Sequence, residues 1–196
     1  ILSQTNHLLT RKPSDKNKLY SLHEPEVSCI SKGKSHKKYE FGSKVSLSIT
    51  HKKGVSIVTS ALSFNNNPYD GHRLDQALKS SAEITGVNPL NAFVDRGYKG
   101  HNVTDCNVYI SGQKRGITAR IKKQLKRRQA IEPHIGHLKN DGKLGLCRLK
   151  AIVGDQINAL LCAASYNLKQ VLYHLRTILL QIFGLIFFIK IKFLGN

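Results

Sequence analysis

The sequence predicts an α/β fold, and three observations carry that prediction. Two alternating apolar runs between Tyr39 and Phe64 read as an antiparallel hairpin. A helical period follows, then two short strands at "NAFVD" and "NVYISG". The last third of the chain returns to helical spacing, first basic and then apolar. The order strand, strand, helix, strand, strand, helix, helix joins the hairpin to a strand reached by a helical crossover.

Residues 1–38 are polar and basic, with "SKGKSHKK" as a charge run and no sustained apolar period, and read as a loosely ordered arm. In "YEFGSKVSLSIT", Phe41, Val45, Leu47 and Ile49 favour one side, as in a half-buried strand. "HKKG" supplies a turn, and "VSIVTSALSF" resumes the pattern. "NNNPYDG" is a loop by its Asn, Pro, Asp and Gly content, with Asp70 placed to cap the helix after it. Leu74, Ala77, Leu78, Ala82 and Ile84 then fall at helical spacing, and Gly86 is the stop. "ITARIKKQLKRRQAIEPHIGHLKND" is a basic helical region in which Pro133 predicts a break or a helix start near Glu132. A last helix covers residues 155–176, with Leu160, Leu161, Ala164, Leu168, Leu172 and Leu175 as its apolar side. The body of the protein is therefore placed at 39–176, and 177–196 is an apolar tail. The tail's run from Ile182 to Ile189 falls far short of the ~20 residues a spanning helix needs, so no membrane is expected as a partner. Its end, "LIFFIKIKF", alternates with high β-propensity, the mark of an aggregation-prone extension.

The chain of 196 residues can form one full domain, and its 40% hydrophobic content is enough for a core. It carries 31 Lys+Arg against 12 Asp+Glu, a formal net charge of +19. That balance implies a polyanionic partner, of which nucleic acid is the commonest; a solvated basic surface or an anionic membrane are the alternatives. Cys29, Cys106, Cys147 and Cys162 lie far apart with no C-x-x-C pair, so reduced thiols are expected rather than a zinc knuckle or a disulfide framework. The opening "ILSQTNHLLTRKPSDKNK" lacks the apolar segment of a signal peptide, and the chain contains no methionine.

With carboxylates so scarce, Asp95 in "FVDRGYKG" stands out at the end of an apolar strand. Functional groups of open α/β sheets collect beyond the carboxyl ends of strands, and Gly97 is expected to take a positive φ that turns the chain away sharply. An Asx-turn, in which the Asp95 side chain only binds nearby N–H groups, is the competing reading. Arg128, Glu132 and Lys139 follow one another at four and seven residues, which places them on one helical stripe. That stripe is either a surface ion-pair ladder or a metal carboxylate between two phosphate-binding cations. "KKQLKRR" puts Lys122, Lys123, Lys126, Arg127 and Arg128 just before Glu132, a density of charge that would track a DNA backbone. His134 and His137 have H-x-x-H spacing but no further ligands, and read as phosphate contacts or solvent-facing groups rather than a zinc site.

Five stretches in order, "HEPEVSCISKGKSHKKYEFGSKVS", "NPYDGH", "FVDRGYKG", "ISGQKRG" and "KRRQAIEPHIGHLKNDGKLG", resemble DDE transposases of bacterial insertion sequences, in the insertion-sequence-five group. The likeness runs from about Tyr20 to Tyr173. It implies an RNase H-like core, as in retroviral integrases: a three-stranded antiparallel meander, then parallel strands, with helices on both faces. By the resemblance Asp95, beside Gly97 and Tyr98, is the second catalytic carboxylate, and Glu132, flanked by Arg128 and Lys139, is the third. Both would be ligands of Mg²⁺ or Mn²⁺, Arg128 and Lys139 would position phosphates, and Tyr98 would pack at the site. Leu125 stands where the family has tyrosine, Leu146 where an arginine often lies, and Ala151 in place of a glycine.

The family's first aspartate lies on the first meander strand, upstream of the HEPE region. Asp15, in "RKPSDKNK", is a poor substitute for it. Two-metal phosphoryl transfer needs carboxylates that hold two ions ~3.5–4 Å apart, so Asp95 and Glu132 alone would hold them weakly. The expectation is a C-terminal part of a transposase, lacking the first strand and inactive alone. Its partner would be double-stranded DNA, both inverted-repeat ends and target, with a homodimer as the candidate assembly and a bacterial, cytoplasmic, DNA-associated location. The rival expectation is a non-enzymatic basic DNA-binding remnant of the same fold.

Overall fold

A computed structural model describes residues 2–15, 18–31, 38–51, 54 and 56–194, with side chains to residue 184. Most of the "SKGKSHKK" run, most of the "HKKG" turn and the side chains at the end of the apolar tail lie outside the described residues. The stretch read as an arm contains a helix, α1 (Leu2–Thr10), and a strand, β1 (Ser28–Ser31). The helix buries no residue. β1 pairs antiparallel with β2 (Tyr39–Gly42), Cys29 opposite Phe41. At four residues, "SCIS" is too short for alternation to announce it.

Gly42, at φ +138°, leads the chain out of that ladder and into the next. There β3 (Lys44–Ile49) and β4 (Val58–Phe64) form the expected antiparallel hairpin, with Leu47 opposite Ala61 and Val45 opposite Ser63. Between the pairs Ser48–Ser60 and Ile49–Val58 the register slips by one residue, which makes Thr59 the extra residue of a bulge. Ala61 faces the main core, where Val58, Leu138, Ala159, Cys162, Ala163 and Tyr166 pack together. Phe64 lies three residues on and so faces the other side, under the guanidinium of Arg73.

That other side is covered by α2 (Asp70–Thr85), which buries Leu74, Ala77 and Ser81 and stops at Gly86 in the left-handed region, as its sequence predicts. Asp70 is not the cap: the preceding residue is Tyr69, with no side-chain cap bond, and Asp70 sits inside the first turn. β5 (Asn91–Val94) and β6 (Asn107–Ile110) pair in parallel, Phe93 opposite Tyr109, with their rings stacked at 5.4 Å. Next come α3 (Ala119–Arg127), capped by the Thr118 side chain, a 3-10 turn at Arg128–Ala130, and α4 (Ile131–Asn140). The expected break near Glu132 is this 3-10 turn.

The last helix, α5 (Ala151–Leu194), runs for 44 residues, about 66 Å at 1.5 Å per residue. It is far longer than its apolar period suggests, and "LIFFIKIKF" continues it as helix to Leu194 rather than as an extended strand. Its packed side is also not the side its leucines mark. Small residues meet the sheet, Ala159 fully and Ala163 nearly so, while Leu161 is 61% exposed and Leu168 60%. Small side chains let the helix approach β4 closely enough for two of its amides to reach the strand backbone. Asn167 accepts from the Val58 N–H and donates to its carbonyl, both at 2.8 Å. Gln156 accepts from the Ser63 N–H at 2.8 Å and donates to the Ala61 carbonyl at 2.9 Å. The outer edge of β4 is thereby closed by side chains.

The inner edges are different. Because Ala61 and Ser63 point their backbone groups at α5, their register partners Leu47 and Val45 point theirs away from β4. Among the described residues β3 has no second strand partner, and β5 pairs only with β6. The expected junction of the hairpin with β5 is not made. The two open edges instead line one cleft of about 1390 Å³.

Candidate functional site

The cleft between β3 and β5 gathers most of the residues singled out from sequence. Asp95, Arg128, Glu132 and Lys139 all line it, with Asp70 and Tyr98. Lys139 and Glu132 share α4, seven residues apart; Arg128 reaches the cleft from the 3-10 turn, its Nε buried without a partner. The stripe is thus bent by the 3-10 turn, yet all three of its members keep one outlook.

Asp95 follows β5 directly and caps a 3-10 turn at Arg96–Tyr98, its Oδ1 accepting from the Gly97 N–H at 2.9 Å. The Asx-type bond is therefore present, and it leaves the second carboxylate oxygen available. Gly97 does not take a positive φ. What the position requires is space: a Cβ there would lie 3.0 Å from Asp70 Oδ2 and 3.1 Å from Asp95 Oδ1. Any side chain would press on both carboxylates. The same figures bring Asp70 and Asp95 close together, since neither oxygen is further from that point than ordinary contact. Asp70 is held by Lys44 on β3, at 2.9 Å. Sequence reasoning missed this neighbour, because an Asp at a helix start reads first as a cap.

Tyr98 stands between the two walls. Burial, and then the negative charges of Asp70 and Asp95, hold its phenol above the ordinary range; a hydrogen bond with Ser46 of β3 acts the other way. The hydroxyl stays protonated and available as a neutral donor inside the cleft.

Lys122, Lys123 and Lys126 lie at helical spacing on one face of α3, all exposed, with no acidic residue in the helix. Arg127 is half-buried. These four do not line the cleft; they form a separate basic face. α3 is fixed beside the cleft by His51, whose ring nitrogen meets the Gln124 carbonyl at 3.0 Å and whose ring lies 4.7 Å from that of Phe93. Leu125, on the opposite side of α3 from Lys122 and Lys123, is half-buried.

The two histidines of H-x-x-H are used separately. His134 Nδ1 meets the Tyr166 hydroxyl at 2.6 Å, and burial lowers its pKa, with His137 adding to the effect. His137 pairs with Asp141 at 3.2 Å, and Lys169 of α5 holds the same carboxylate at 2.8 Å, which lowers its pKa. No zinc ligand set forms there. Among the described residues no three His, Cys, Asp or Glu side chains come together closely enough to hold a metal ion. Asp95 is engaged by the Gly97 N–H and Asp70 by Lys44, so the described residues do not fit a two-ion centre by themselves.

Residues 16–168 match the family described as Transposase DDE domain. The chain belongs to that family. No curated protein and no solved structure matches it. Membership makes DNA the substrate class and transposition the general function, and it agrees with the charge of +19. The mixed α/β architecture is compatible with such a domain. Among the described residues no helix is long and apolar enough to cross a membrane. One departure noted from sequence has a visible consequence: Ala151, standing where a glycine is expected, has φ +60°. An L-residue is strained there by roughly 1–2 kcal/mol.

Proposed function

We propose that this chain is part of the catalytic domain of a bacterial insertion-sequence transposase, RNase H-like in plan, that binds double-stranded DNA but does not cleave it unaided. The observation that carries the reading is the convergence of Asp95 and Glu132, from β5 and α4, on a cleft walled by two open strand edges. A further strand seated between β3 and β5 would pair with both edges and bring a third carboxylate beside Asp95. The geometry leaves room for that strand: β3 is antiparallel to β4, β5 is parallel to β6, and both offer unpaired backbone to the same space. Asp95 and Glu132 are then two members of a three-carboxylate site for Mg²⁺ or Mn²⁺, with Arg128 and Lys139 as phosphate contacts. Lys122, Lys123, Lys126 and Arg127 hold the duplex along α3.

The test uses the purified chain. Duplex DNA is bound with affinity that falls steeply as salt rises. Lys122→Ala, Lys123→Ala and Lys126→Ala together reduce both affinity and salt slope, the slope by about 0.9 for each phosphate no longer neutralised. Nicking in Mg²⁺ is absent. Mg²⁺-dependent nicking that disappears with Asp95→Ala would overturn the inactivity; affinity indifferent to salt would overturn the DNA-binding face. The rival reading, a DNA-binding protein without chemistry, is favoured by the absence of a three-ligand cluster among the described residues. Adding in trans an aspartate-bearing strand peptide separates the two, since only the proposed site gains cleavage.

A further inference from the structure

The largest aliphatic side chains of α5 face away from the sheet. Leu161, Leu168, Leu175 and Ile182 recur at seven-residue intervals and are 61%, 60%, 51% and 48% exposed. Val171 and Ile178 follow Leu168 and Leu175 by three residues, and Leu172 and Leu179 follow them by four. In heptad terms these are positions a, d and e, repeated in register. The residues that pack on β4, Ala159, Cys162, Ala163 and Tyr166, lie on the opposite side of the helix. α5 is therefore apolar on two faces, and its large-residue face has no partner among the described residues.

A seven-residue period of this kind fits another helix better than a flat surface, because a and d side chains interlock with those of a partner. The partner's charge is constrained too. On a chain of +19, the positions flanking the seam, Asn167, His174 and Gln181 on one side and Leu172 and Leu179 on the other, carry no Lys, Arg, Asp or Glu. Lys169 and Arg176 sit at positions turned from the seam. Two copies can thus meet along it without like charges opposed, which an acidic or basic partner would not require. The stripe extends ~32 Å, and its half-exposed aliphatic groups supply on the order of the 800 Å² per partner found in a standard interface.

We propose that this stripe is the seam through which two copies of the chain associate, helix α5 against helix α5. The pairing is independent of whether the cleft is catalytically complete, and it would present two basic α3 faces in one particle.

Sedimentation equilibrium of the purified chain tests it. The wild type sediments as a dimer at micromolar concentration. Leu175→Glu and Leu175→Lys each sediment as monomers with unchanged circular dichroism, and mixing the two restores the dimer. The milder Leu175→Ala weakens association about tenfold, whereas Tyr173→Ala, on the far side of the helix, leaves it unchanged. A monomeric wild type, charge variants that still self-associate, or a mixture that stays monomeric each overturn the proposal. Liposome binding without self-association, abolished in the Leu175 charge variants, assigns the stripe to a lipid surface and overturns it as well.

Discussion

The two strands of the central hairpin meet the rest of the molecule in opposite ways. On β4 the outer backbone groups are met by Asn167 and Gln156 of α5. On β3 the corresponding groups of Val45 and Leu47 point into a cleft shared with the carboxylates. A long helix can close a strand edge with side chains only where its own residues are small enough for close approach, as Ala159 and Ala163 are. The β3 edge has no such neighbour among the described residues. The contrast separates a structural side from a functional one: the sealed edge fixes the hairpin, and the open edge is where a further strand, and with it the chemistry, would be completed.

The sharpest way to break the comparison is to open the sealed edge. Asn167→Leu leaves both the N–H and the carbonyl of buried Val58 without a partner. At about 1–3 kcal/mol for each unsatisfied group, a loss of about 2–4 kcal/mol is expected. The measurement is a urea titration, in which the midpoint falls while the slope is unchanged. A loss no larger than that of an exposed substitution on α5 would mean that water replaces the amide and the edge is not sealed.

Native-state hydrogen exchange compares the edges without mutation. The amides of Val58 and Ser63 are expected to exchange at least about a hundredfold more slowly than those of Val45 and Leu47, since only the former donate to a side-chain carbonyl. Equal protection on both edges would show the β3 edge to be covered in solution. Protection of β3 that appears only on adding a strand-forming peptide would instead support the vacant-strand reading.

The hairpin, α2 with its Gly86 stop, and the parallel strands were legible because alternation and helical spacing report directly on which side a residue faces. The separation of β3 from β5 was not, since no local pattern records which strand edges meet. α5 shows a different failure. Its leucines mark an apolar side correctly, but apolar does not mean packed within this chain, and the contacts to β4 are made by alanines that carry little periodic signal. At the site, Asp95, Glu132, Arg128 and Lys139 were legible, while the approach of Asp70 was not. Gly97 was singled out for the wrong reason: the position needs room between two carboxylates, not a positive φ.

A smaller effect is expected at the start of the sealing helix. Ala151→Gly removes the strain of φ +60° at the first residue of α5. The gain of roughly 1–2 kcal/mol from that relief is partly offset by the greater freedom of glycine in the unfolded chain, so a net stabilisation of about 1 kcal/mol is expected. It is read as a rise in urea midpoint. A fall would place Ala151 in a conformation that glycine does not favour.

The smallest expected effect lies at the joint between the two regions, where His134 of α4, the helix that carries Glu132, meets Tyr166 of α5 at 2.6 Å. Burial lowers the pKa of His134, so the unfolded chain binds a proton more readily than the folded one. The stability this provides is present above the ordinary value of 6.5 and is lost as pH falls through the lower folded value. Melting temperatures taken from pH 8 down to pH 5 should therefore decline, while Asp141, whose pKa is lowered by Lys169 and His137, remains ionised throughout that window. The other histidines titrate in the same range, so the diagnostic quantity is the difference between the wild type and His134→Gln. The variant should show a shallower decline, and Tyr166→Phe should shift the wild-type curve in the same sense by removing the donor to neutral His134. Parallel curves for all three would show that the α4–α5 joint does not respond to protonation, and that the open and sealed sides are coupled only through the backbone.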